Sequence, residues 1–271
     1  MQVHEVGIEI GGTPLVVRTA SDSFRRTLQQ RYAPFLQAPT GGKSATGNLA
    51  IDVELLPSHP AESVNSEDLE VQLEDGKWCM RRGDFFAQWD PRTGQGRVRQ
   101  SENPYSIDCV LRIVHSLMLA KNGGVLVHAA SAIRNGKAFL FAGVSGAGKT
   151  TMSRLAPPDA TLLTDEISYV RPVAGVYHAF GTPFAGELAK LGTQCSAPLE
   201  SVFLLAQGPH NRIDDIEQTV AVQALLRNIL FFAHDQVLVE DVFTTACNLA
   251  QKVSVRRLTF RPEQNVWDLI G

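Results

Sequence analysis

Residues 138–154 read AFLFAGVSGAGKTTMSR, and the fold of the chain is decided there. Gly143-Val144-Ser145-Gly146-Ala147-Gly148-Lys149-Thr150 matches the phosphate-loop pattern G-x-x-x-x-G-K-[ST] at every position. The apolar run Phe139-Leu140-Phe141 predicts a buried strand entering the loop, and Thr151-Met152-Ser153-Arg154-Leu155 predicts the helix that leaves it. In that order the loop N–H groups and the helix start converge on one anion. Glycine recurs because a side chain would block the phosphates and because some positions need φ > 0. Gly143, Ser145, Gly146, Ala147, Gly148, Lys149, Thr150 and Thr151 are therefore the expected contacts of a nucleoside triphosphate. Lys149 would neutralise the β- and γ-phosphates, and the Thr150 hydroxyl would ligate Mg²⁺. The alternative is a Gly-rich turn between core elements.

Such a loop needs a carboxylate at the tip of a nearby strand to hold Mg²⁺. Thr161-Leu162-Leu163-Thr164-Asp165-Glu166 supplies an apolar lead-in followed by two acids. Successive strand side chains point to opposite faces, so the two acids are expected to have different tasks. Asp165 is assigned to the metal. Glu166 is either a second metal ligand or the base that accepts a hydroxyl proton. By itself the pair would read as a solvated strand end; beside the loop, the functional reading is preferred.

The composition narrows the function class. The 271 residues are 44% hydrophobic and 20% charged, with a formal charge of −3. That is ordinary for a globular protein and offers no basic footprint for nucleic acid. Cys79, Cys109, Cys195 and Cys247 are widely spaced with no CxxC pair, which argues against a zinc site or a disulfide framework and suits a reducing cytoplasm. MQVHEVGIEI lacks the charged start and apolar core of a signal peptide, and apolar stretches such as 228–233 are too short to cross a bilayer. The expectation is a cytoplasmic protein with no nucleic-acid or membrane partner. Homo-oligomerisation is left open.

Residues 3–18 read as a hairpin about Gly11-Gly12, and Ser21 or Asp22 can cap a helix through Phe24, Leu28, Tyr32 and Phe35. Residues 36–48 read as a loop, with strand-like runs at 49–56, 69–73, 77–81, 84–89 and 96–99. From Pro104 to about Lys121, Ile107, Val110, Leu111, Val114, Leu117 and Met118 trace a helical face. Asn122-Gly123-Gly124 is the expected boundary, giving an N-terminal α+β domain over 1–122 and a loop-bearing domain over 123–271. The second part alternates strands (125–134, 137–143, 161–164, 167–172, 176–180, 200–206 and 252–260) with helices at about 217–232 and 237–251. That order predicts an α/β sheet flanked by helices.

The sequence here resembles a known fold. GVSGAGKTTMS is close to the loop of ATP-dependent phosphoenolpyruvate carboxykinase, and LLTDE lies where that family has its kinase-2 acids. Val127-His128-Ala129-Ala130-Ser131 and the turn at Asn135-Gly136 look like the opening of the HPr kinase/phosphorylase catalytic domain. The resemblance covers residues 125–172 with specific motifs and runs more loosely to the C-terminus. It implies a phosphoenolpyruvate carboxykinase/HPr kinase-like P-loop domain and ATP- and Mg²⁺-dependent phosphoryl transfer to a hydroxyl. It also implies a role for His128 near the site. The chain departs from HPr kinase in pairing Asp165 with Glu166 rather than two aspartates, and it lacks the HPr-recognition signature. It also lacks the oxaloacetate-binding residues of a carboxykinase. It is most similar to the smaller HPr-kinase-like proteins with an added N-terminal domain, which leaves the acceptor open among small molecules, peptides and proteins. An ATP-binding regulatory or assembly module with little turnover is the rival reading.

Three weaker candidates remain. Phe180-Gly181-Thr182-Pro183-Phe184-Ala185-Gly186-Glu187 could shape an acceptor loop through Gly181, Gly186 and Glu187, or be an ordinary turn. Phosphoryl transfer usually wants one more cation on the γ-phosphate, and Arg154, Arg171, Arg212 and Lys190 are the candidates. His128 could equally be a structural histidine at the end of an apolar strand.

Overall fold

Two burial patterns separate the strands of this chain. The computed structural model describes residues 2–37, 49–56, 69–186, 188 and 191–271, divided into two compact units. One comprises residues 1–118 and 231–239, the other 119–230 and 240–271. The architecture is mixed α/β, with two large sheets and flanking helices.

In the first unit, β1 (His4–Ile10) and β2 (Thr13–Thr19) form a hairpin and bury alternate residues. α1 (Asp22–Arg31) is capped by Ser21, whose hydroxyl accepts the Phe24 N–H at 3.2 Å. The periodicity predicts a helix reaching Phe35, but α1 stops at Arg31 and Ala33–Phe35 forms a short 3₁₀ turn. Pro34 explains the early stop, because it has no N–H to donate to the preceding turn. The remaining strands are β3 (Leu36–Gln37), β4 (Leu49–Leu55), β5 (Glu70–Glu74), β6 (Lys77–Arg82), β7 (Phe85–Asp90) and β8 (Gln95–Gln100). They assemble in the order β3-β1-β2-β4-β8-β7-β6-β5. Only the β2–β4 and β4–β8 pairs in it are parallel.

α2 (Pro104–Lys121) carries the chain out of this unit. Asn103 caps it by accepting the Tyr105 N–H at 3.0 Å, and Pro104 occupies the first turn, where no partner is needed for its nitrogen. The apolar face traced in the sequence is buried except for the half-buried Met118, but so are Ile113, Ser106, Asp108, His115 and Ser116. Asp108 tolerates burial because Arg31 and Tyr32 both donate to its carboxylate.

The second unit contains β9 (Val125–Arg134), β10 (Lys137–Ala142), α3 (Lys149–Arg154), β11 (Thr161–Thr164), β12 (Ile167–Val173), β13 (Val176–Phe180) and β14 (Ser196–Gln207). β15 (Arg212–Asp215), α4 (Gln218–Asn228), β16 (Ile229–Leu230), α5 (Gln236–Lys252) and β17 (Ser254–Phe260) follow, with the first residues of α5 belonging to the other unit. β9 turns into β10 through Asn135-Gly136, both at positive φ, as a two-residue hairpin loop requires. β9 and β14 are long enough to change partners along their length. β9 pairs with β12 over Val125–His128 and with β10 over Ala129–Arg134. β14 pairs with β13 at its start and then runs parallel to β10. The pairings thus close a ring, β10-β9-β12-β13-β14, with β17 parallel to β14 outside it.

Both faces of this sheet are covered. Ala138, Leu140 and Ala142 of β10 pack into one cluster with Leu225 of α4 and Leu249 of α5. Phe139 and Phe141 enter another with Met152, Phe203, Phe260 and Trp267. The Trp267 indole N–H donates to the Met152 carbonyl at 3.2 Å, so its polar end is satisfied inside the core.

In the first unit, Leu36–Gln37 of the stretch expected as a loop forms β3, the rest of that stretch lying outside the described residues; in the second, two elements depart from the sequence pattern. Helix was expected through residue 232, yet α4 ends at Asn228 and Ile229–Leu230 pair with Val127–Leu126 as a short strand. The sequence pattern predicts no strand at Arg212–Asp215, yet it pairs with β17, with Asp214 and Asp215 opposite Arg257 and Arg256. Opposite charges across a ladder supply what apolar alternation does not.

Candidate functional site

The loop begins where β10 ends. Gly143 is in close contact with Ala147, since a Cβ on Gly143 would lie 2.7 Å from the Ala147 Cβ. Gly148 caps α3 at φ 110°, and a Cβ there would lie 2.5 Å from the Phe260 ring. Any side chain at Gly148 is therefore excluded both by conformation and by space. Lys149 is buried at 9% exposure and donates from Nζ to the carbonyls of Gly143 at 2.8 Å and Val144 at 3.3 Å. Its ammonium is thus held within the curl of the loop.

Strand register brings the other groups to the loop. Ala129 of β9 pairs with Ala142, the last residue before the loop. The preceding residue, His128, pairs with Ile167, the first residue of β12 after the acidic pair. His128 thus sits where β9 changes partners, between the phosphate loop and Asp165-Glu166. The acidic turn is tight because the Thr164 hydroxyl accepts the N–H groups of Glu166 at 3.2 Å and Ile167 at 3.3 Å.

A cavity of about 440 Å³ is the result, lined by His128, Ser145, Gly146, Gly148, Lys149, Thr150, Thr151, Arg154, Asp165, Glu166, Ala185 and Gly186. Gly143 and Ala147 shape the loop from behind without lining the cavity. Asp165 is buried, and its carboxylate accepts the N–H groups of Gly186 and Leu188, each at 2.9 Å. A Cβ on Gly186 would approach the Glu166 Cβ at 2.9 Å and Asp165 Oδ2 at 3.0 Å. The segment after Phe180 is therefore strapped to the acidic pair through its backbone.

The two glycines of that segment separate in role. Gly186 lines the cavity, whereas Gly181 packs against Thr193, whose carbonyl would be 1.8 Å from an added Cβ. Glu187 and Lys190 lie outside the described residues. Among the candidate cations, Arg154 lines the cavity and makes no ion pair among the described residues. Arg171 instead lies over the Phe180 ring at 4.6 Å, and Arg212 pairs with Asp214 at 3.0 Å. The amides of Gly186 and Leu188 were missed in the sequence, where a backbone donor leaves no residue-type signal.

Among the described residues, no group of three His, Cys, Asp or Glu side chains forms a metal cluster. Mg²⁺ needs none, because it is commonly held by one or two carboxylates together with substrate phosphates. Thr150, Asp165 and Glu166 face the same cavity as the loop and offer the hard oxygen donors such an ion takes. No described helix is long and apolar enough to cross a membrane.

Comparison with known proteins places the chain among relatives. The family described as ScmC, SynChlorMet cassette protein ScmC, matches residues 99–271, more than half of the sequence. No curated protein sequence matches. Among solved structures, the Hpr(Ser) kinase/phosphatase from Coxiella burnetii is similar at 14% identity, covering 46% of this chain and 92% of that one. The TM-score is 0.26, a weak likeness.

Proposed function

The chain belongs to the family of SynChlorMet cassette protein ScmC, and we propose, from the geometry of its cavity, that it is a P-loop phosphotransferase. It moves the γ-phosphoryl group of ATP to a hydroxyl of a small molecule, peptide or protein. The observation that carries this reading is one cavity lined by the loop residues, His128, Arg154, Asp165 and Glu166. Lys149 and the loop N–H groups bind the phosphates, and Arg154 is the added cation at the γ end. Thr150 and Asp165 are the residues to hold Mg²⁺, which when bound neutralises charge on the β- and γ-oxygens. Glu166 is the base, receiving the acceptor's hydroxyl proton as the oxygen attacks phosphorus in line with the leaving ADP. His128 borders the acidic pair and orients the acceptor. Catalysis of this kind is positioning and charge stabilisation, for which the residues present suffice.

Lys149→Ala tests the nucleotide part. Calorimetric titration with MgATP is expected to show roughly a 100-fold or greater loss of affinity, since a charge-assisted phosphate contact is removed. Equal binding by wild type and Lys149→Ala would sink the reading. Glu166→Gln should retain MgATP binding and lose transfer of label from γ-labelled ATP.

One observation favours a second reading, a nucleotide-binding module with little turnover. Both oxygens of Asp165 are already engaged by Gly186 and Leu188, so the carboxylate serves the loop as well as any ion. In that case Glu166→Gln leaves biological activity intact.

A further inference from the structure

A second cavity, of about 390 Å³, lies beside the first and is lined by Gly148, Thr151, Gln207, Gly208, Phe260 and Pro262. Gly148 and Thr151 line both cavities, so the two adjoin at the turn from the phosphate loop into α3. We propose that this second cavity receives the nucleoside half, ribose and base, of the triphosphate whose phosphates occupy the first. The inference rests on the phosphate-loop reading and adds to it the orientation of the ligand.

Topology supports the assignment. β10, β14 and β17 are adjacent and parallel, so their carboxyl ends lie along one edge of the sheet, the edge from which the phosphate loop leaves β10. The loop follows β10, Gln207-Gly208 ends β14, and Phe260 to Pro262 ends β17. Each strand contributes one part of a continuous rim. The acidic residues Asp165 and Glu166, together with Arg154, line only the first cavity. The reacting γ end belongs with them, which directs the α-phosphate and nucleoside past Thr151 toward the second.

The second cavity is also built in advance. Gln207 Nε2 donates to the Gly146 carbonyl at 2.8 Å, tying the end of β14 to the loop. Asn211 accepts the Arg261 N–H at 2.8 Å and donates to Asn265 at 2.9 Å, pinning the two turns of the rim together. Gly208 donates to the Phe260 carbonyl at 3.2 Å. The lining combines the carbon surfaces of Phe260 and Pro262 with the Gln207 amide, a mixture that suits a flat heteroaromatic base on a sugar.

The test compares two ligands on the full chain by calorimetry, MgATP and magnesium tripolyphosphate. Wild type should bind MgATP at least about 10-fold more tightly than tripolyphosphate, the difference being the nucleoside. Pro262 is exposed, and Pro262→Trp fills the cavity, so it should erase that difference while tripolyphosphate affinity stays unchanged. Equal wild-type affinity for the two ligands, or a full MgATP preference in Pro262→Trp, overturns the subsite while leaving the phosphate loop intact. If wild type binds neither ligand, the phosphate-loop reading falls and takes the subsite with it. Pro262→Leu, a smaller filling of the same space, decides by the same ratio if the tryptophan variant melts early.

Discussion

The outer hairpin of the first unit and the central strands of the second bury their residues in different patterns. In the first, β1 and β2 bury every second residue, as strands with one covered face do. In the second, β10 buries five consecutive residues and β9 all but one of its first eight. Coverage of both faces follows from parallel pairing, because β10, β14 and β17 must be joined by crossovers that lay other elements on the sheet. The same pairing aligns carboxyl ends on one edge, from which the phosphate loop leaves β10. Charge is handled differently as well. The first unit closes its buried charges on each other, as Arg31 and Tyr32 do around Asp108. The second turns Arg154, Asp165 and Glu166 toward a cavity.

Truncation on the two sheets should break this contrast if it is wrong. Phe141 is stacked on Phe203 at 6.0 Å and meets Trp267 edge-on at 5.3 Å. Phe141→Ala should cost about 3–5 kcal/mol in urea unfolding. Leu73 of β5 is half exposed, and Leu73→Ala should stay within about 0.5 kcal/mol. Comparable losses at both positions would mean the two sheets are covered alike.

A titration sharpens the first unit's side of the comparison. Burial lowers the His115 pKa from its ordinary 6.5 to about 4. Well above pH 6.5 the ring is neutral in both states and its protonation does not affect stability. As pH falls below that, the unfolded chain takes up a proton that the folded chain refuses until about pH 4. Stability should therefore decline by about 3 kcal/mol across that window. His115→Asn should flatten this part of the profile of unfolding free energy against pH, and an unchanged slope would show that the histidine is not the cause. The smallest effect is expected at the surface. Arg97 meets Glu54 at 2.9 Å with both side chains largely in water, so Arg97→Ala should shift stability by less than about 0.5 kcal/mol.

Legibility in the sequence followed the range of the interactions. The hairpins, the capped α1 and the strand–loop–helix of residues 137–154 depend on neighbours in the chain, and their patterns are visible there. β16 and β15 were illegible because each exists through a distant partner, β9 for one and β17 for the other. In the site, the loop and the acidic pair read clearly as motifs. The position of His128 between them is a matter of register, which no local pattern encodes. Gly181 and Gly186 looked equivalent, and only packing against Thr193 in one case and Glu166 in the other distinguished them.

By itself the sequence determined the chemistry on offer: a glycine-rich loop with its lysine and threonine, two adjacent acids, and a mixed α/β order of elements. Residue type and short spacing encode these, because each depends on local backbone freedom or on the side chain itself. Tertiary structure decided which of those groups share a cavity, which arginine borders it, and that a second cavity continues from Thr151 to Pro262. Those outcomes depend on strands far apart in the chain meeting in one register, and hydrogen bonding along β9 and β14 sets that register.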